Sequence, residues 1–267
     1  MDKGQNRKIK ALNREFAALQ RQESRLMRTA VKAKPAGWKT ALEQKVPAKV
    51  YAGLNSAFCK GFALVFQHGR KLIELTYKKE KLQQKHSEQN TGFLEQGNRK
   101  DIRILYKNAR SSNSLNVAAT TLEGIGLGAL GIGMPDIVLF LTTVLRGVYE
   151  TALHYGHDYE SRFEQMLILK MMAASLSTGA DWFSRNREVN DWLRLDSREI
   201  SEEEFEKQIR ATSEVFAVDM LLLKFVQGMP VVGVLGGAAN PLYYHKILRY
   251  VQLKYKRRYL LRYQTNG

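Results

Sequence analysis

His154 and His157 stand three residues apart with Asp158 adjacent, a spacing that can place two imidazoles and a carboxylate on one helix face. Such a set could hold a metal ion or relay protons. Gly156 between them predicts that the helix ends there, and no third, distant ligand accompanies the pair. The simpler reading is a histidine at a helix C-terminus, where the helix dipole favours its charged form. No metal site is therefore expected. Asp136 lies between a glycine run and the apolar stretch Ile137-Val138-Leu139-Phe140-Leu141. It either caps the following helix through backbone N–H groups or is a buried carboxylate whose apolar surroundings raise its pKa, as in a general acid. Asp136, His154 and His157 are thus the candidate catalytic residues of a hydrolase-like alternative. Cys59 is the chain's single cysteine, sits among apolar residues and reads as a structural thiol. Neither G-x-S-x-G, nor H-E-x-x-H, nor G-x-x-x-x-G-K-[ST] occurs.

One motif does occur. Gly126-Leu127-Gly128-Ala129-Leu130-Gly131 matches G-x-G-x-x-G, with Glu150 about twenty residues on, where a ribose-binding acid would stand. The fingerprint needs a preceding strand, and Asn116–Thr121 is a poor one, while Glu150 falls in a helical pattern. Close packing explains these glycines better, and no cofactor is expected.

The elements that must position these residues are punctuated by two glycine-rich apolar segments. Residues 124–133 read GIGLGALGIG and residues 228–237 read GMPVVGVLGG; both contain Gly-Met-Pro. Gly124, Gly126, Gly128, Gly131, Gly133 and Pro135 belong to the first, and Gly228, Pro230, Gly233, Gly236 and Gly237 to the second. Small residues three or four apart let helix backbones touch. As a bilayer span, Gly124–Leu145 is marginal. Asp136 costs roughly 2.5–3.5 kcal/mol, about what the Ile, Leu, Val and Phe residues return once the glycines and proline are counted. Split at their prolines, both segments have arms of about ten residues, which suits a core hairpin or a re-entrant segment better than a crossing.

Around them the pattern is helical throughout. Ile9, Leu12, Phe16 and Leu19, continued by Leu26 and Ala30, give a basic amphipathic helix over residues 1–34, with Lys8, Lys10, Arg14, Arg21, Arg25 and Arg28 on its other faces. That helix suits a membrane surface, a coiled-coil partner or simple docking, the last being the plainest. A longer helix starts near Val46-Pro47. Ser87–Gly97 is polar and reads as a loop, with a further helix from Arg99 to Arg110. Ile137–Tyr155 ends at Gly156, and Arg162–Thr178 ends at Gly179. Ser201 and Glu204 form a capping box, and Asn240-Pro241 caps a final helix. No alternating strand pattern appears. The fold class is all-α, a multi-helix domain with two glycine-rich, hairpin-like segments.

The 267 residues carry a net charge of +16, distributed unevenly. Residues 1–110 and 241–267 are basic, whereas 111–240 are acidic and apolar. The last stretch holds seven basic residues, no acid and six of the twelve tyrosines. Arg249, Lys254, Lys256, Arg257, Arg258 and Arg262 are accordingly expected to bind an anionic surface, with the tyrosines at the bilayer interface. The same mixture could stack on and neutralise a nucleic acid, a second alternative. The first thirty residues contain no apolar run of signal-peptide length, so a cytoplasmic protein at the inner face of the membrane is expected.

The order of the motifs resembles the EcsC family of bacterial proteins. Gly133-Met134-Pro135-Asp136, Tyr155-Gly156-His157-Asp158, Pro230-Val231-Val232-Gly233 and the basic helix ending in Tyr255-Lys256-Arg257-Arg258 carry the likeness, over about residues 47–262. It implies a helical, bacterial, cytosolic or membrane-associated protein, of a family often found beside an ABC transporter linked to secretion. It supplies no reaction. The function expected is therefore non-enzymatic: a membrane-associated helical protein whose partners are anionic membrane lipids and, through the family, a membrane transporter.

Overall fold

The computed structural model describes residues 3–32, 46–69, 79–96, 98–111, 134–227 and 239–264. Among the described residues there are nine α-helices and no strand: α1 (Lys3–Lys32), α2 (Ala48–Leu64), α3 (Lys79–Gln96), α4 (Arg99–Ser111), α5 (Met134–His154), α6 (Arg162–Leu176), α7 (Gly179–Trp192), α8 (Glu202–Gln227) and α9 (Ala239–Gln264). A π-turn, Val65–Gly69, continues α2. The glycines at 124–133 and 228–237, and Pro230, lie outside the described residues.

Helix α6 is the centre. Every residue from Phe163 to Leu176 is buried, which is why its apolar residues follow no single stripe. It packs against α7, α8 and α9, while α8 also lies along α2, where Phe58 and Phe62 meet Phe216 at ring-centroid distances of 5.4 and 5.3 Å. Helix α5 fits between α2 and α9 because small residues allow close approach. A side chain on Gly61 would meet Ile137 and Leu141 at 3.0 Å, and one on Gly147 would meet Leu248 at 2.9 Å. Ile137–His154 is the one described stretch long and apolar enough to cross a bilayer, and most of it is buried by neighbouring helices. The apolar residues expected to make Gly124–Leu145 a marginal span are, from Ile137 onwards, largely core residues.

Local chemistry sets several of the ends. Ser201 Oγ accepts from Glu204 N–H at 3.1 Å and Glu204 accepts from Ser201 N–H at 3.4 Å, the expected capping box. Ser161 caps α6 in the same way through Glu164 N–H. Helix α5 ends in a Schellman turn, with His157 N–H donating to Ala152 C=O at 2.9 Å and Gly156 N–H to Leu153 C=O at 3.0 Å. Gly156 has φ +75°, and a Cβ there would lie 2.3 Å from His86 Nε2. Gly156→Ala is expected to cost at least about 2 kcal/mol, since the left-handed conformation alone costs about 1–2 kcal/mol with a side chain present. Urea unfolding measures it, and an unchanged midpoint would contradict this turn.

Three local expectations need correction. Ser87–Gln96, expected in a loop that ran on to Gly97, instead forms the C-terminal half of α3. Its polar residues are used from the other side, since Asn90 Oδ1 accepts from both Tyr259 OH and Tyr263 OH, and Phe93 is fully buried. Gly179 does not close α6 but opens α7, which the sequence pattern missed. Asp136 is not the N-cap of α5, because that helix begins two residues earlier.

Candidate anionic-surface interface

The final helix carries the charges that the sequence nominated, and the fold uses most of them internally. Lys254 is 2% exposed; its Nζ donates to Glu23 Oε1 at 3.0 Å and to Asn190 Oδ1 at 2.8 Å. Burial pulls its pKa down to about 8, against the opposing pull of Glu23. Lys256 is also buried, bonded to Glu15 Oε2 at 3.2 Å, with its Nζ 3.9 Å from the centre of the Tyr106 ring. Arg258 donates to Glu164 Oε2 at 2.7 Å, while Tyr255 OH donates to Glu164 Oε1 at 2.6 Å, all three side chains buried. Arg257, a quarter exposed, donates to Glu23 Oε2 at 2.6 Å. Only Arg249 and Arg262 of the six are exposed.

Lys254, Lys256 and Arg258 therefore cannot lie on a surface, and Arg257 does so only in part. The reason is counter-charge. Helix α9 has no acid of its own, and burying a cation without one is prohibitive, so α1 and α6 present Glu15, Glu23 and Glu164 to it. The tyrosines behave likewise. Tyr243, Tyr244, Tyr250, Tyr255 and Tyr259 are buried instead of forming an interfacial belt, with Tyr250 OH bonded to Asn186 at 2.9 Å and Tyr243 OH to the Asp219 carbonyl at 3.0 Å.

This inward use of acids changes the outside of α1. Glu15 also accepts from Arg99 Nε of α4 at 2.5 Å, so both described acids of α1 face the fold, as do Leu12 and Leu19. On the opposite side, Arg7, Lys10, Arg14, Arg21, Arg25 and Arg28 are all exposed, and among the described residues none pairs with a carboxylate. At 100° per residue these six fall within a sector of about 60°, and at 1.5 Å per residue they run for about 32 Å. Lys8 leaves the row to sit over the Phe93 and Tyr263 rings. Helix α4, packed beside α1, adds the exposed Lys100, Arg103 and Lys107. The row follows a seven-residue repeat (7, 14, 21, 28) that was readable in the sequence once the inner face was assigned.

The candidate catalytic residues do not converge. Asp136 and His154 sit at opposite ends of α5, eighteen residues or roughly 27 Å apart. His154 and His157 are both buried, and His86 joins them from α3, its Nδ1 2.8 Å from the His154 carbonyl oxygen. Asp158 instead turns outward to Lys79 at 3.4 Å. Among the described residues no group of three potential metal ligands gathers. Glu150 is helical, buried and paired with Arg146 at 3.1 Å, outside any strand–turn–helix unit. Cys59 is half-buried, its Sγ 4.0 Å from Asn55 Oδ1.

Burial holds His154 down to about pKa 4, helped by Lys85 and His86, and holds His157 well below the ordinary range, helped by Arg258, Arg262 and His86. Unfolded, both take up protons near pH 6.5; folded, they do not. Stability is thus retained above about pH 6.5 and lost as pH falls from there towards 4. Two protons correspond to a slope of up to about 2.7 kcal/mol per pH unit. Urea titrations at pH 7.5 and 5.0 should show it, and a flat profile would mean that these imidazoles are not held neutral.

The model of the EcsC protein family matches residues 10–260, from within α1 to near the end of α9. No curated protein and no solved structure matches the chain.

Proposed function

The chain belongs to the EcsC protein family, and from that premise we propose that it is a non-enzymatic, membrane-associated protein that lays the outer face of α1 on anionic lipid. The single observation that carries the reading is the unpaired row of six cations along about 32 Å of one exposed helix face. A flat anionic surface is the partner whose shape suits a straight row, and each Lys or Arg near such a surface contributes about 1 kcal/mol. The row also supports a cytoplasmic position at the inner membrane face, where anionic headgroups meet basic segments. A role beside a membrane transporter follows from the family resemblance alone.

Flotation of the purified protein with vesicles containing anionic or only zwitterionic lipid tests the reading. Binding to the anionic vesicles at low salt, released at high salt, is expected. Failure to bind them at low salt would sink it. Nucleic acid is the second reading that the same cations favour, and a counterion-release slope with duplex DNA in place of vesicle binding would select it.

A further inference from the structure

A cleft of about 440 Å³ opens between α1, α7 and α9, on a side of α1 away from the cationic row. Its charged part is the ion cluster of Glu23, Lys254 and Arg257, and Gln20, Ser24 and Asn186 add neutral polar groups. One carboxylate there serves two cations, which leaves one net positive charge. Arg257 has five N–H donors; Nη1 donates to Glu23, and Nε is buried with no hydrogen-bond partner. Its guanidinium is thus far from saturated, although it lines the cleft.

Beside these polar groups the cleft has an apolar side. Met27 on α1 and Phe183 on α7 form its lips and are 39% and 45% exposed, among the most exposed large apolar side chains described. Trp182, packed edge-on to Phe183 at 5.4 Å, forms an inner wall. Apolar atoms left in water on both sides of a concave site, beside an unneutralised cation, call for a ligand with both characters. The volume lies in the ordinary range for small-molecule sites, about 300–1,000 Å³. Met27, unbranched and adaptable, suits a flexible chain better than a rigid ring.

We propose that this cleft binds one molecule of a single-chain anionic amphiphile, its head on Arg257 and its chain between Met27, Phe183 and Trp182. A fork of guanidinium donors recognises carboxylate and phosphate alike, so the head is either of these. The proposal does not rest on the lipid-surface reading, because the residues that line the cleft are not those of the outer row.

Isothermal titration of the full-length protein with laurate and with dodecyl phosphate, each below its critical micelle concentration, tests the site. One-to-one binding of at least one of them is expected, and which one binds identifies the head. Dodecanol, with the same chain and no charge, should bind at least tenfold more weakly. Arg257→Gln should weaken the anion at least tenfold while Lys254 still holds Glu23. Phe183→Asp, at an exposed lip where folding is not at stake, should abolish binding. The triple variant of Arg14, Arg21 and Arg28 discussed below should leave it unchanged, so that failure here and failure of the lipid-surface reading are told apart. No binding of either anion, dodecanol as strong as the anions, or both cleft variants binding like the wild type would each overturn the proposal.

Discussion

Glu164→Ala should lower the melting temperature by roughly 6–20 °C, the largest stability effect expected of any single polar residue. Glu164 is 3% exposed on the central helix and serves two buried groups at once, Arg258 through Oε2 and Tyr255 OH through Oε1. Truncation leaves a guanidinium and a phenol in the core without their acceptor. Breaking a buried pair from one side costs about 3–5 kcal/mol, and each kcal/mol moves Tm by about 2–4 °C in a chain of this size. A control sits on the surface. Arg162 and Glu202 also touch, but both are exposed, and Glu202→Ala should cost less than about 1 kcal/mol. The double variant Glu164→Leu/Arg258→Met should recover much of the loss, since removing both charges also removes the desolvation cost. Calorimetry of the three variants checks the set. A Tm for Glu164→Ala within about 2 °C of wild type would mean that this cluster is not buried as described.

The second large effect concerns binding. Arg14→Gln/Arg21→Gln/Arg28→Gln removes three of the six cations in the outer row of α1 and should weaken flotation with anionic vesicles roughly a hundredfold. Three charges at about 1 kcal/mol each make about 3 kcal/mol. The side chains are exposed and make no ion pair among the described residues, so the circular-dichroism melt should not move by more than a degree or two. The comparison that decides between helices is Arg249→Gln/Arg262→Gln, the two exposed cations among the six of α9 first expected to bind a surface. They are two separate charges and should cost much less. Loss of flotation in the α9 variant with wild-type behaviour in the α1 variant would return the interface to the C-terminal helix and refute the row.

Much of the helical architecture was legible because its signals are local. The capping box at Ser201 and Glu204 needs four residues, and the left-handed turn at Gly156 needs a glycine in the right place; both stand where their spacing put them. The 3-4 spacing of Leu12, Phe16 and Leu19 marked the inner face of α1. Helix α3 failed the same approach. A stretch of Ser, Glu, Gln, Asn and Thr has no strong helical period, and its reason for being helical is that Asn90 and Phe93 are held by Tyr259, Tyr263 and Lys8. Helix α7 was missed because Gly179 reads as a stop when it is a start.

The sequence by itself determined the all-helical class, most helix ends, the basic ends of the chain and, through its motifs, the family. The tertiary structure alone decided which of the basic residues remain available to a partner. Charge is additive along a chain, so its sum can be counted from residue types, but its availability depends on counter-charges supplied from far away. Glu15, Glu23 and Glu164 lie more than ninety residues from the cations of α9 that they neutralise. Because a buried cation must have such a partner, the same pairing that withdrew α9 from the surface drew the acids of α1 inward and left its arginines facing out.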